Sequence, residues 1–138
     1  MVVNRHQRGY FMEEKSANPQ SQYRQIPAST RYAIARYLLN GLQPGGFLSA
    51  VLRNQLRESM ARADADNRRN LQLLLGFLFN EVPDCAHGQS DSIDKWLINQ
   101  MYLRPDVRAK IIKDVLPQLF TQQELLFVLD DNDILLVE

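Results

Sequence analysis

The chain has 138 residues, 45% apolar and 23% charged, the usage of an ordinary globular domain, which excludes wholesale disorder and a fibrous architecture. Sixteen basic side chains balance sixteen acidic ones, so the molecule as a whole carries no strong field for nucleic acid or a membrane surface. A chain of this size buries about two-thirds of its unfolded surface, enough for one core without disulfide staples.

The charge is unevenly spread. Residues 1 to 36 hold Arg5, Arg8, Lys15, Arg24, Arg31 and Arg36 against Glu13 and Glu14, whereas residues 121 to 138 hold Glu124, Asp130, Asp131, Asp133 and Glu138 with no Lys or Arg. The N-terminal stretch has no long apolar run behind its basic residues and no small-residue cleavage site, so it does not read as a secretory signal. Leu73 to Phe79 is the longest apolar run, and it is far too short to span a bilayer. The lone cysteine, Cys85, makes no internal disulfide and agrees with a reducing cytoplasm.

In chain order, residues 1 to 27 are polar and without a sustained period, which predicts a flexible arm whose Tyr10, Phe11 and Tyr23 anchor it to the body or to a partner. Residues 28 to 138 are expected to form a single helical domain, with a core over 28–103 and a C-terminal helical extension over 104–138 ending in an acidic tail. The fold class this predicts is all-α, a compact bundle of five to six helices. Ser29 or Thr30 caps the first helix, which carries Ile34, Tyr37 and Leu38 on one face. Gly41 closes it as a left-handed residue, with Leu42 folding back on the last turn.

After Pro44, Gly45 and Gly46, the apolar positions Leu48, Val51, Leu52, Leu56, Met60 and Ala63 recur at steps of three and four, the pattern of one amphipathic helix of about four turns. Glu58 and Arg62 are spaced to pair on its polar side. Asp64 or Asp66 caps a third helix that turns apolar nearly all round in "LLLGFLFN", the expected buried centre, and Pro83 ends it. Ser90 or Ser92 opens a fourth helix with Ile93, Trp96, Leu97 and Met101. Arg104-Pro105 divides it from a fifth with Val107, Ile111, Ile112, Val115 and Leu116. Thr121 and Glu124 match the capping box of a last helix containing Leu125, Leu126, Val128 and Leu129. "DDND" then reads as a turn, and "ILLVE" as an apolar tail tucked into the core or used at an interface.

Few residues offer chemistry. Nucleophilic catalysis needs a nucleophile with a base in reach, and the chain has only His6 and His87. Cys85-x-His87 near Ser90 lacks a third, orienting group, and three Cys and His residues in all fall short of a structural zinc site. "DADAD" has the acid offset of a calcium loop without its glycine or terminal Glu. "GLQPGG" lacks the Lys-Ser/Thr of a phosphate loop. The reading is therefore a protein without enzymatic activity, catalytic residues, bound metal or cofactor. Nucleic-acid binding has more in its favour, because a helix, a glycine-containing turn and a second helix with Arg53, Asn54, Gln55 and Arg57 is an arrangement that enters a major groove. Balanced net charge and the interleaved Glu58 weigh against it.

The line "RYAIARYLLNGLQPGGFLSAVLRNQLRESMARAD", with Pro44, Gly46, Phe47-Leu48, Ala50-Val51-Leu52, Asn54, Leu56 and Ala63-Asp64, is followed by Asn67, Phe77 to Asn80, Pro83, Cys85, Gly88 and Trp96. In these residues the stretch 31–97 resembles a group of small helical proteins encoded by bacteriophages and prophages. Where that group has an aromatic-glycine pair after the cysteine, this chain has Ala86-His87-Gly88. The resemblance implies a helical fold and a phage origin, and no defined activity. It leads to the expectation of a non-enzymatic, phage-type accessory protein in the host cytoplasm that binds and modulates a host or phage protein, most simply by inhibiting it. The alternatives are a small helix-turn-helix DNA-binding regulator and an assembly factor. The expected contact residues are Arg53, Asn54, Arg57 and Arg62 on the second helix, with Asp130, Asp131 and Asp133 near the C-terminus.

Overall fold

The computed structural model describes residues 21–103 and 105–132. Among the described residues every regular element is helical: α1 (Ala28–Asn40), α2 (Gly46–Leu52), α3 (Leu56–Arg62), α4 (Ala65–Arg69), α5 (Leu71–Glu81), α6 (Ser90–Leu103), α7 (Pro105–Lys110) and α8 (Gln122–Asp131). Eight α-helices replace the expected five to six, because two segments read as continuous are broken by local backbone geometry. The expected positions of His6, Tyr10, Phe11, Asp133 and the ILLVE tail lie outside the described residues, as does the side chain of Met101.

The first break falls at residues 53 to 55. The Asn54 N–H donates to Val51 O at 3.0 Å and the Gln55 N–H to Ala50 O at 2.9 Å, while Asn54 sits at φ +62°. This is a Schellman ending with Asn in the left-handed position normally held by Gly. It stops α2 at Leu52 and restarts the chain as α3. Leu56 and Met60, counted above as core, are 65% and 40% exposed in consequence. The second break is at Asn70, which ends α4 and precedes α5. On α5 only one face is covered: Leu71, Leu74, Phe77 and Leu78 are buried, whereas Leu75 and Phe79 are exposed.

The expected Ser29 or Thr30 cap does not form: α1 begins after Pro27 with no side-chain cap, and Thr30 Oγ1 instead donates to Asn67 Oδ1 at 2.7 Å. Gly41 takes φ +65° and its N–H donates to Tyr37 O at 2.9 Å, although Leu42 stays exposed rather than folding back. Asp64 accepts from the Asn67 N–H at 2.8 Å. Thr121 and Glu124 complete a reciprocal capping box, worth about 1 kcal/mol for the cap alone.

One buried cluster runs through α1, α2, α5, α6, the segment 111–120 and α8. Tyr37 is its hinge pin: its hydroxyl donates to Ala86 O at 2.8 Å, and its own carbonyl accepts from Trp96 Nε1 at 3.0 Å. Both aromatic residues thus bury large apolar bodies with their polar tips satisfied. Burial holds the Tyr37 hydroxyl well above its ordinary ionisation range, so it stays neutral.

The segment after α7, expected within a C-terminal extension, lies in the core. Ile111–Val115 forms a π-helical turn and Leu116–Gln118 a 3-10 turn, where Pro117 supplies no N–H and prevents an α-helix from continuing. Ile111 and every residue from Val115 to Phe120 are buried. The carbonyls freed by this irregular ending all find side-chain donors from far upstream. Arg24 Nη2 donates to Pro117 O and Phe120 O at 3.0 and 3.1 Å, Ser21 Oγ to Gln118 O at 2.7 Å, and Arg31 Nη1 to Leu119 O at 2.9 Å. Arg31 also stacks on the Phe120 ring, 5.6 Å from its centroid. Four consecutive buried carbonyls are thereby paired, as a dry interior requires.

These contacts correct the extent of the arm. Residues 22–25 form a 3-10 turn, Ile26 is fully buried, and Tyr23 packs edge-on against Phe77 at 5.2 Å. Polar composition concealed this, because Ser21, Arg24 and Arg31 are polar residues whose partners are buried backbone. At the other end of α1, Arg108 donates to Leu39 O and to Asn40 Oδ1, a cation on the last turn where the helix dipole favours it. Desolvation lowers the pKa of both Arg24 and Arg108.

Candidate partner-binding surface

The Schellman turn decides where each predicted contact residue points. Arg53 is at the C-cap of α2, 18% exposed, and its guanidinium donates to Ser90 O at 3.3 Å and Asp94 Oδ1 at 3.0 Å. Beside it the Gly88 N–H donates to Leu52 O at 2.7 Å. Arg53 therefore clasps α2 to the start of α6. Asn54 is exposed, but its role is conformational. Arg62 pairs with Glu58 at 2.6 Å on the surface, and its guanidinium lies over Gly46, 2.7 Å from where a Cβ would stand. It closes the α2–α3 hairpin.

Arg57 is different. It is exposed, and its side chain makes no hydrogen bond or ion pair among the described residues. Its helix neighbours Leu56 and Met60 are the exposed apolar residues of α3, four positions apart and hence on one side of the helix. The result is a small apolar face with an uncommitted cation beside it. The four residues expected on the second helix are all at one hairpin, and of their charged groups only that of Arg57 is unpaired among the described residues.

Asp130 and Asp131 occupy the last turn of α8, both exposed, on a separate element. One turn before them Leu126 and Phe127 are 50% and 62% exposed. These apolar neighbours were missed in the sequence, although a signal was present. Leu125 to Leu129 is five consecutive apolar residues, and a helix packed on one side buries only about half of such a run. The same argument covers Leu75 and Phe79 on α5.

The sequence's few chemical constellations are engaged in structure. His87 Nε2 lies 3.2 Å from Val82 O and 4.0 Å from Asp84 Oδ1. Asp64 caps α4, and Asp66 pairs with Arg69 at 3.2 Å. Ser49 Oγ donates to Pro44 O at 3.0 Å. Among the described residues no three His, Cys, Asp or Glu side chains are grouped to hold a metal ion, and no helix is long and apolar enough to cross a membrane. Compared with known proteins, the chain matches no family model, no curated protein and no solved structure.

Proposed function

We propose that this chain is a non-enzymatic binding module that engages and modulates another protein through the outward face of α3, formed by Leu56, Arg57 and Met60. One observation carries the reading: a helix seven residues long leaves its two large apolar side chains outside the core, around a cation with no side-chain partner among the described residues. Exposed apolar side chains rimmed by charge are the composition of a protein contact site. The phage origin and the inhibitory sense rest on the resemblance of residues 31–97 alone, and the host or phage identity of the partner follows from that origin.

A DNA-reading alternative has one observation in its favour. The α2–turn–α3 unit joins two helices through three residues, one of them left-handed, as in helix-turn-helix motifs. It offers few phosphate contacts, since Arg53 and Arg62 are held by Asp94 and Glu58.

The test compares wild type with Leu56→Asp/Met60→Asp and with Arg57→Glu in affinity capture from bacterial lysate, alongside duplex DNA titration at two salt concentrations. The proposal expects a protein captured by wild type and lost with both α3 variants, with negligible DNA binding. Salt-dependent DNA binding that collapses with Arg57→Glu would establish the alternative.

A further inference from the structure

The exposed face of α8 is not explained by the α3 reading, and it is matched by the chain's own N-terminal segment. Leu126 and Phe127 are followed one turn later by Asp130 and Asp131. Neither acid pairs with a described residue, and residues 121–132 contain no Lys or Arg. Such a face calls for an occupant with large apolar groups followed by positive charge.

Residues 1–20 lie outside the described structure, and the chain enters it beside this helix. Ser21 Oγ donates to Gln118 O, and Arg24 holds Phe120 O, immediately before the Thr121 cap of α8. Moving back from Ser21, the sequence passes Lys15, Glu14 and Glu13 and then meets Met12, Phe11 and Tyr10, followed by Arg8 and Arg5. Moving along α8 from Thr121, the surface meets Leu126 and Phe127 first, then Asp130 and Asp131. From Met12 back and from Leu126 onward the two orders correspond, large apolar groups and then charges of opposite sign. At about 1.5 Å per residue, Phe127 lies roughly 9 Å and Asp131 roughly 15 Å from Thr121. By coil statistics ten residues from Ser21 to Phe11 span roughly 17 Å, so the reach is sufficient without strain.

We propose that residues 5–12 of the same chain dock along the outer face of α8, with Tyr10 and Phe11 on Leu126 and Phe127 and with Arg5 and Arg8 facing Asp130 and Asp131. The tether makes the contact intramolecular, so a modest affinity is enough to populate it. The other apolar patch near the tether, Leu75 and Phe79 on α5, is followed by Glu81, which is half-buried and engaged, and by Asp84 beyond the end of the helix. This inference stands independently of the α3 reading.

The test places a nitroxide on Gln7→Cys in a full chain carrying Cys85→Ala and records amide signal loss. Docking predicts loss concentrated on Leu126–Asn132 and strongest near Asp130 and Asp131. Asp130→Lys/Asp131→Lys should abolish that loss, and adding Arg5→Glu/Arg8→Glu to the same chain should restore it. In the native-cysteine chain without label, Arg5→Glu/Arg8→Glu should shift the amides of the same α8 residues. Loss centred on Leu75–Phe79, no selective loss because the ILLVE tail or a separate partner covers the face, or loss only between labelled and unlabelled chains would each overturn the proposal.

Discussion

The segment 111–120 and the α2–α3 hairpin are both places where an expected helix fails, and they repair the failure in opposite ways. At 116–120 the freed carbonyls are buried and are paired by Ser21, Arg24 and Arg31, about 90 positions upstream in sequence. At 53–55 the repair is local: two backbone bonds and a left-handed Asn close α2. A break in the interior recruits distant side chains and becomes essential to stability. A break at the surface closes on itself and leaves the next helix free to face outward. The first builds the scaffold, and the second gives it a face to offer.

The contrast is sharpened by substitution, beginning with the interior. Phe120→Ala removes a fully buried ring under Arg31 and is expected to cost about 3–5 kcal/mol in denaturant unfolding. A loss below about 1 kcal/mol would show that the segment is not central. Arg24→Ala leaves two buried carbonyls unpaired, with an expected loss of about 2–3 kcal/mol. Both bonds come from the single nitrogen Nη2, and the buried Nε has no partner among the described residues. Arg24→Lys is therefore expected to recover at least half of that loss, contrary to the usual non-equivalence of the two residues. Failure of Lys to rescue would mean that the guanidinium plane itself is required.

At the hairpin the effects are smaller and depend on backbone geometry. Asn54→Val places a β-branched residue in the left-handed region and should cost about 1–2 kcal/mol, whereas Asn54→Gly should be neutral or slightly stabilising. Equal effects from the two would contradict a left-handed turn.

What the sequence revealed follows the range of the interactions. Gly41, Asp64 and the Thr121/Glu124 box act within four residues, and each was legible from residue type and spacing. The all-helical class was legible for the same reason. The break at Asn54 was not, because Leu48, Val51, Leu52, Leu56, Met60 and Ala63 keep helical spacing straight through it, and Asn announces a left-handed turn far less clearly than Gly. The stapling by Ser21, Arg24 and Arg31 was invisible, since a polar residue paired to distant backbone has the same local signature as one in solvent. At the candidate surface, the exposure of Arg57 was legible from its place on the polar side of the stripe. Leu56 and Met60 were misassigned by the same stripe, so the apolar half of the face emerged only from the fold.

The most direct measurement of the claim that the core closes without α3's apolar residues is denaturant unfolding of the Leu56→Asp/Met60→Asp chain. With both side chains facing solvent, stability should stay within about 1 kcal/mol of wild type. A loss of several kcal/mol, the cost of burying two carboxylates in a packed interior, would mean that residues 48–63 form one helix sealing the core and that the face assigned to a partner does not exist.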